Sequence, residues 1–319
     1  MNFKKVLQTI KKNKVFAVAT HVGPDPDALG SQMAMAMYLK SIGKKVICLS
    51  DDVVPERYRF LPGVKSIKPY SSKIKVKPDV IVILDCGDRA RTGKVEKIIG
   101  ENTTVINIDH HITNDNFGDI NLVDPKASST CELLYELLAY DKFKITENMA
   151  LHLYAGIMTD TGSFRFENTT SKTHNIAAEL RKFNFSATKL YRQLYESIPL
   201  NDIQAFTKVI NGFEALYQKR VACVNLPKRI VSKFSQDFDL RDTIFKFLRS
   251  INGIEVFIIF TEVSSKKTRV NFRSSGRINV AKMANKFNGG GHKNASGGFV
   301  DCGLAEAKKK VLKEIKKVL

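Results

Sequence analysis

An imidazole and two carboxylates fall within seven positions near the start of the chain: His21, Asp25 and Asp27 in the segment HVGPDPDALGS. Later apolar runs end in the same residue types. DVIVILD delivers Asp85, and TTVINID delivers Asp109, followed at once by His110 and His111. Asp160 sits in GIMTDTGSFRF, which reads as an exposed turn after an apolar stretch. Taken singly, each residue has a structural explanation: Asp27 could cap a helix starting at Ala28, the paired histidines could form a turn, and a strand-end aspartate is commonly a loop residue. Their joint occurrence points elsewhere. Independent loop aspartates have no reason to recur with histidines at the same end of successive strands, yet three of the six histidines lie in these two short segments. Mixed carboxylate and imidazole donors suit Mn²⁺ or a similar divalent first-row ion, whereas oxygen alone would suggest Mg²⁺ or Ca²⁺ and thiolates structural zinc. One carboxylate can bridge two ions, and ions about 3.5–4 Å apart can activate water and stabilise both attacking and leaving oxygens in phosphoryl transfer. The residue types therefore predict a two-metal phosphohydrolase that needs no protein nucleophile.

A second constellation lies near the other end, in FRSSG (272 to 276) and NGGGHKNASGG (288 to 298). Gly289, Gly290 and Gly291 could be a helix C-cap and loop. Alternatively they let backbone N–H groups approach a phosphate closely, with His292 as a further donor. Arg273, at the end of a predicted strand, is a candidate phosphate clamp because a guanidinium engages two oxygens at once. Other histidines ask for less: His152, in the apolar LHLYAG, reads as a packed side chain, and His174 as locally bonded at a helix start. The phenylalanines of SFRF (163 to 166) suit either base stacking or core packing.

The elements that must position these residues follow from patterning. Short apolar runs at 15 to 20, 46 to 50, 79 to 85 and 103 to 109 alternate with helical stretches, which predicts an α/β fold: a doubly wound, mostly parallel sheet. Such sheets bind ligands outside the carboxyl ends of their strands, where the acidic and histidine residues would converge. Ser129 and Glu132 form a capping-box pattern opening one helix, and another is expected from about Thr146. Helical patterning without strand signal fills 171 to 215. A new series begins at KRVACVNL, and GIEVFIIFTEV and KTRVNFRSS could be adjacent strands. The expected organisation is thus a first domain over 1–184, a helical linker over 185–215, and a smaller C-terminal α/β domain over 216–319. In the closing helix Val311, Leu312, Ile315 and Leu319 share a face and the lysines lie on its solvated back.

Composition bounds the class. The chain has 319 residues, 43% hydrophobic and 26% charged, an ordinary globular balance with room for two cores. No run approaches the ~18 apolar residues of a membrane span. The opening MNFKKVLQTIKKNK reads as an amphipathic helix with Phe3, Val6, Leu7 and Ile10 on one face rather than a cleaved leader. Five scattered cysteines, none in a CxxC pair, suit reduced thiols in the cytoplasm. The formal charge of +19 suits a polyanionic partner, although a lysine-rich composition alone would raise it as well.

Together, HVGPDPDALGS, VILDCGD, IDHH and GIMTDTGSFRF resemble the ordered motifs of the DHH phosphoesterase superfamily, and FRSSG with GGGHKNASG resembles its associated C-terminal domain. The resemblance spans nearly the whole chain, and its short stand-alone architecture is similar to the bacterial nanoRNase/pAp phosphatase branch. It implies two manganese ions, other divalent metals being admissible: one held by His21, Asp25 and Asp85, the other by Asp27, Asp85, His110 and Asp160, with Asp85 bridging. It implies that His111 faces the scissile phosphate, with Asp109 orienting the histidines, and that Arg273, Gly289, Gly290, Gly291, His292, Asn294 and Ser296 contact substrate across a cleft between the domains. One departure is PDPD, where relatives often have PDGD; Pro26 stiffens the loop without removing a ligand type.

The expected substrates are short single-stranded RNA oligonucleotides, degraded to nucleoside 5′-monophosphates, and 3′-phosphoadenosine 5′-phosphate (pAp) and related nucleotides, with no membrane partner and a homodimer left open. The nearest enzymatic rival is a phosphodiesterase for linear pApA or cyclic dinucleotides. A rival of another class, a non-catalytic RNA-binding protein relying on charge alone, gives no reason for an intact ligand set.

Overall fold

The computed structural model describes residues 2–51, 53–196, 198–235 and 238–319, and of His292 the backbone. The chain divides into two compact units, Met1–Ser197 and Ile198–Leu319. The division falls within the 185–215 segment, whose helices are shared between the units.

The first unit runs α1 (Phe3–Lys12), β1 (Val15–Ala19), α2 (Pro26–Ser41), β2 (Lys45–Ser50), β3 (Lys68–Pro69), β4 (Val80–Leu84), β5 (Thr104–Asp109), β6 (Ile120–Val123), α3 (Thr130–Tyr140), α4 (Glu147–Asp160), α5 (Ser171–Leu180) and α6 (Ala187–Tyr195). All six strands are parallel, in the order β3-β2-β1-β4-β5-β6. The apolar runs are continuous because both faces are covered. Phe16, Val18, Val80, Val82, Ile106 and Ile108 pack against helices on one side, while Ala17, Ala19, Ile81, Ile83 and Val105 face a second core that includes Val95. After β3 the chain returns to the middle of the sheet and builds outward the other way, so the order reverses between β1 and β4. The carboxyl ends of these two strands, followed by His21 and Asp85, flank that switch point.

Three local readings from the sequence need correction. The helix after β1 starts at Pro26, not Ala28, and its cap is Asp25, whose Oδ1 accepts the N–H groups of Asp27 and Ala28 at 3.0 Å each. Proline suits the first helical position, where no N–H is needed, and Asp27 is thereby freed for another use. The capping box at Ser129 is half formed. Ser129 Oγ accepts the Glu132 N–H, but the Glu132 carboxylate turns away to the hydroxyls of Ser128 and Thr173. Asp160 is the last residue of α4 rather than part of a loop, and the turn follows it, with Gly162, Ser163 and Phe164 all at positive φ.

The second unit runs α7 (Leu200–Asn211), β7 (Glu214–Leu216), β8 (Val221–Leu226), α8 (Lys228–Val231), α9 (Leu240–Arg249), β9 (Val256–Ser264), β10 (Lys267–Ser274), α10 (Val280–Asn285), β11 (Gly290–His292), β12 (Ala295–Val300) and α11 (Leu304–Lys316). Its mixed sheet has the order β11-β12-β10-β9-β8-β7, and β9 and β10 pair antiparallel as their patterning predicts. Val311 and Ile315 of α11 join one core, while Ile244, Phe245 and Leu248 of α9 cover Phe257 and Ile259 on the opposite face.

Candidate metal centre

Two ligand-grade triads meet at the switch point, and a third group, Asp85, His110 and His111, overlaps them. His21, Asp25 and Asp85 each offer an atom within 4.8 Å of the others, as do Asp27, His110 and Asp160. Asp85 lies between them: its Oδ2 is 3.5 Å from His21 Nε2 and its Oδ1 3.6 Å from His110 Nε2. His110 Nε2 is 3.0 Å from Asp160 Oδ2. His21 Nδ1 lies 2.9 Å from the Val22 carbonyl. Donation there fixes the tautomer and leaves Nε2 bare toward the carboxylates.

His111 also lies near Asp85, with Nδ1 3.7 Å from Oδ1. That same nitrogen is only 2.7 Å from Asp109 Oδ1, so its proton is committed to Asp109 and Nε2 is left for other partners. Asp109 is fully buried, and its second oxygen accepts the Asn114 amide at 2.6 Å. Burial would raise the Asp109 carboxyl, but the His111 hydrogen bond and charge, with Asn114, overcome it and hold the pKa below the usual range.

The N-terminus of α3 completes the pocket. Asp27 is fully buried, and its two oxygens accept the N–H groups of Thr130 at 2.7 Å and Cys131 at 2.9 Å. A carboxylate from far back in the sequence thus satisfies two of the donors a helix start leaves open, on the positive side of the helix dipole. Thr130 Oγ1 donates to Asp85 Oδ1 at 3.0 Å. Close packing allows this arrangement: a Cβ on Gly156 of α4 would fall 2.4 Å from Cys131 Sγ and 2.5 Å from Asp27 Oδ1. Asn168 ties the rim, donating to the carbonyls of Ser128 and Asp160. Thr130, Asn114 and Asn168 escaped the sequence reading. Asn114 stands only three positions beyond His111, the one signal that could have drawn notice.

The electrostatics call for cations. Burial raises the Asp27 carboxyl well above its ordinary value, and the negative charges of Asp85 and Asp160 add to it. Burial and Asp85 raise Asp25, and burial pushes Asp160 up to about 6. Asp85 goes the other way, since the His21 hydrogen bond and the charges of His110, His21 and His111 outweigh its burial. For His110, burial is outweighed by Asp160, Asp27 and Asp85, so its pKa rises to about 10. Four aspartates around two imidazoles, Asp27 and Asp85 buried and Asp25 and Asp160 half-buried, are chemically suited to divalent cations, which would relieve the crowding of negative charge. His152 lies outside the group. It is buried, with Nε2 2.7 Å from the Pro62 carbonyl, as expected of a packed side chain. His174 stacks on Phe164 at 5.6 Å.

In the second unit Arg273 lies on β10, its guanidinium 4.8 Å over the ring of Phe245. The glycine-rich segment is a strand, not a loop. Gly290–His292 pairs antiparallel with β12, and two of the glycines serve that approach, since a Cβ on Gly289 would lie 2.1 Å from the Gly297 carbonyl and one on Gly291 2.6 Å from that of Ala295. A Cβ on Gly290 would meet the Asn285 side-chain amide at 3.8 Å, an ordinary contact distance. Asn294 is exposed, and its carbonyl accepts the Ser274 N–H. Ser296 is buried and donates to the Val280 carbonyl at 2.7 Å, so its hydroxyl is occupied within the fold. The His292 side chain lies outside the described residues.

Comparison with known proteins accords with this division. Residues 15–157 match the model of the DHH family N-terminal domain, and residues 230–319 that of the DHHA1 domain. A Bacillus subtilis (strain 168) protein named bifunctional oligoribonuclease and PAP phosphatase NrnA is 32% identical over 310 residues, covering 93% of this chain and 92% of that protein. A Streptococcus mutans protein given the same name, as probable, is 31% identical over 296 residues, covering 92% of each. Among solved structures, an exopolyphosphatase-related protein from Bacteroides fragilis superposes with a TM-score of 0.91 at 26% identity, covering 99% of this chain and 96% of that one.

Proposed function

The chain belongs to the DHH family of phosphoesterases, and from that membership we propose a two-metal phosphohydrolase that degrades very short RNA oligonucleotides to nucleoside 5′-monophosphates and converts pAp to AMP. The observation that carries the reading is the placement of Asp85, within ligand reach of one triad through Oδ2 and of the other through Oδ1. The names of the Bacillus and Streptococcus relatives support the substrate pair.

In this reading His21, Asp25 and Asp85 hold one ion and Asp27, Asp85, His110 and Asp160 the other. The mixed donor set favours manganese over magnesium. Bound there, the ions supply Lewis acidity and an activated water. The chain's own contribution is orientation and charge. Asp109 fixes the His111 ring through Nδ1, so that Nε2 faces the scissile phosphate. Arg273, Gly289, Gly290, Gly291, His292 and Asn294 of the second unit grip the nucleotide. Ser296 ties β12 to α10 beside them, its hydroxyl donating to the Val280 carbonyl.

The finer organisation belongs to the same proposal: a catalytic domain over 1–184, a linker over 185–215 and a substrate domain over 216–319. No helix among the described residues is long and apolar enough to cross a membrane. Five free cysteines, all buried, fit a reducing compartment such as the cytoplasm.

The test is turnover by the purified chain with Mn²⁺. A 5′-labelled dinucleotide should yield monomers, pAp should yield AMP and phosphate, and both reactions should stop with chelator or with Asp85→Ala. Turnover undiminished by either treatment would overturn the mechanism, and measuring pApA and cyclic dinucleotides alongside ranks the diester substrates.

A further inference from the structure

Val105, Asn107 and Asp109 of β5 point to one side of the first sheet, where Val105 packs with Ile81, Ile83 and Val95. Asn107 interrupts this apolar face. It is fully buried in the middle of the strand, where asparagine is disfavoured and a leucine of similar size would continue the core. A buried amide is tolerated when its hydrogen-bonding groups are satisfied, and those of Asn107 are spent on the loops that carry the metal centre.

Asn107 Nδ2 donates to the carbonyls of Ile83 at 3.3 Å and Cys86 at 3.1 Å. These carbonyls stand on either side of Asp85, whose backbone is left-handed at a φ of +55° and whose N–H donates to the Ile108 carbonyl at 3.0 Å. Asn107 Oδ1 accepts Asn114 Nδ2 at 2.8 Å. The same Asn114 nitrogen reaches the Cys86 carbonyl at 3.3 Å and Asp109 Oδ2 at 2.6 Å, while Asn114 Oδ1 accepts the Asn116 N–H. Asp109 Oδ1 in turn holds His111 Nδ1. A continuous series of hydrogen bonds therefore runs from the turn at Asp85 through Asn107 and Asn114 to the His111 ring. The two loops also touch directly, since the Asp115 N–H donates to the Gly87 carbonyl and a Cβ on Gly87 would lie 3.5 Å from that of His111.

Resting on the two-metal phosphohydrolase reading, in which Asp85 bridges the ions and His111 faces the phosphate, we propose that Asn107 and Asn114 are positioning residues that set the Asp85 carboxylate and the His111 imidazole relative to one another. Asn107 holds the main chain around Asp85. Asn114 fixes the rotation of the Asp109 carboxylate that orients the ring. Neither acts on substrate directly. Loss of either amide lets the two groups move independently, which slows the chemical step more than it weakens substrate binding.

The experiment uses the full chain with Asn107→Leu, Asn107→Asp and Asn114→Ala, and with Asn107→Leu and Asn114→Ala combined. With Mn²⁺, each single substitution should lower kcat on both pAp and a dinucleotide about tenfold or more while KM stays within about twofold. The combined variant should lose little more than the worse single one, because both interrupt one series. Independently of turnover, nitrogen-15 histidine spectra recorded with Mg²⁺ in place of paramagnetic Mn²⁺ should show the hydrogen-bonded Nδ1–H of His111 far downfield in the parent, identified by its loss in His111→Gln. That signal should shift or broaden in every asparagine variant. Asn107→Asp fills the same space with acceptors facing the carbonyls, so an undiminished kcat there would overturn the proposal. A His111 signal unmoved by Asn114→Ala, or losses that fall on KM, would overturn it too. If Asn107→Leu melts far below the parent, Asn114→Ala decides the matter, since Asn114 lies in a half-exposed loop. If the parent turns over neither substrate, the phosphohydrolase reading fails, and the histidine spectra still determine whether the two amides orient His111.

Discussion

The hydroxyl of Thr130 donates to Oδ1 of Asp85 at 3.0 Å, in a pocket where both residues are buried. This bond restrains a carboxylate that lies within reach of both triads. Thr130→Val keeps the shape and removes the donor, with a cost of about 1.5–3 kcal/mol for a hydrogen bond to a charged group. We expect Mn²⁺ affinity, measured by calorimetric titration, to fall at least about tenfold and Thr130→Ser to restore most of it. Affinity unmoved by the valine would show that Asp85 needs no such restraint.

Gly156 gives a packing test of the same pocket. An alanine there must displace Cys131 Sγ or the Asp27 carboxylate, and Asp27 is pinned by two backbone donors. Gly156→Ala should destabilise the metal-free protein by about 1–3 kcal/mol in urea unfolding and reduce bound metal. Adding Cys131→Ala in the same chain opens space and should recover part of both losses.

The two triads can be separated by counting ions. Asp25→Ala removes a member of one triad only and Asp160→Ala a member of the other. Each should lower bound manganese to about half, as read by atomic emission on gel-filtered protein, while Asp85→Ala should deplete both positions. Full occupancy in the Asp85 variant would contradict a shared ligand.

His152 supplies a pH test away from the metal centre. Burial lowers its pKa from 6.5 to about 4, the bond to the Pro62 carbonyl offsetting only part of the effect, and its buried Nδ1 has no partner among the described residues. The unfolded chain therefore binds the proton first as pH falls. The stabilisation is present in full above about 6.5 and is lost as pH drops to about 4, amounting to at most about 3 kcal/mol. Unfolding free energies at pH 7 and 4.5 should show His152→Gln losing less stability than the parent over this interval.

The α/β class was legible because parallel strands buried on both faces read as unbroken apolar runs, as VFAVA and VIVIL do. The candidate ligands were legible because their types recur just past those runs. The hidden features depend on partners distant in sequence. Nothing near Asp27 announces that its carboxylate meets the N–H groups of Thr130 and Cys131, 103 and 104 positions later. Thr161 and Gly162 give Asp160 the pattern of a loop residue, but the α4 hydrogen bonding continues through it, leaving an acid at the unfavourable negative end of a helix. GGGH carries no strand signal because glycine has little strand preference; contact with Gly297 and Ala295 makes it a strand.

Asp85 adopts a φ of +55°, a left-handed conformation in which glycine rests easily and most side chains do not. The chain therefore holds its most heavily used carboxylate on backbone that another residue would occupy with less strain. Asp85→Gly should relieve about 1 kcal/mol of backbone strain, but it also takes the carboxylate away from His21, His110 and Thr130. The left-handed turn is thus a local cost that the histidines around Asp85 offset.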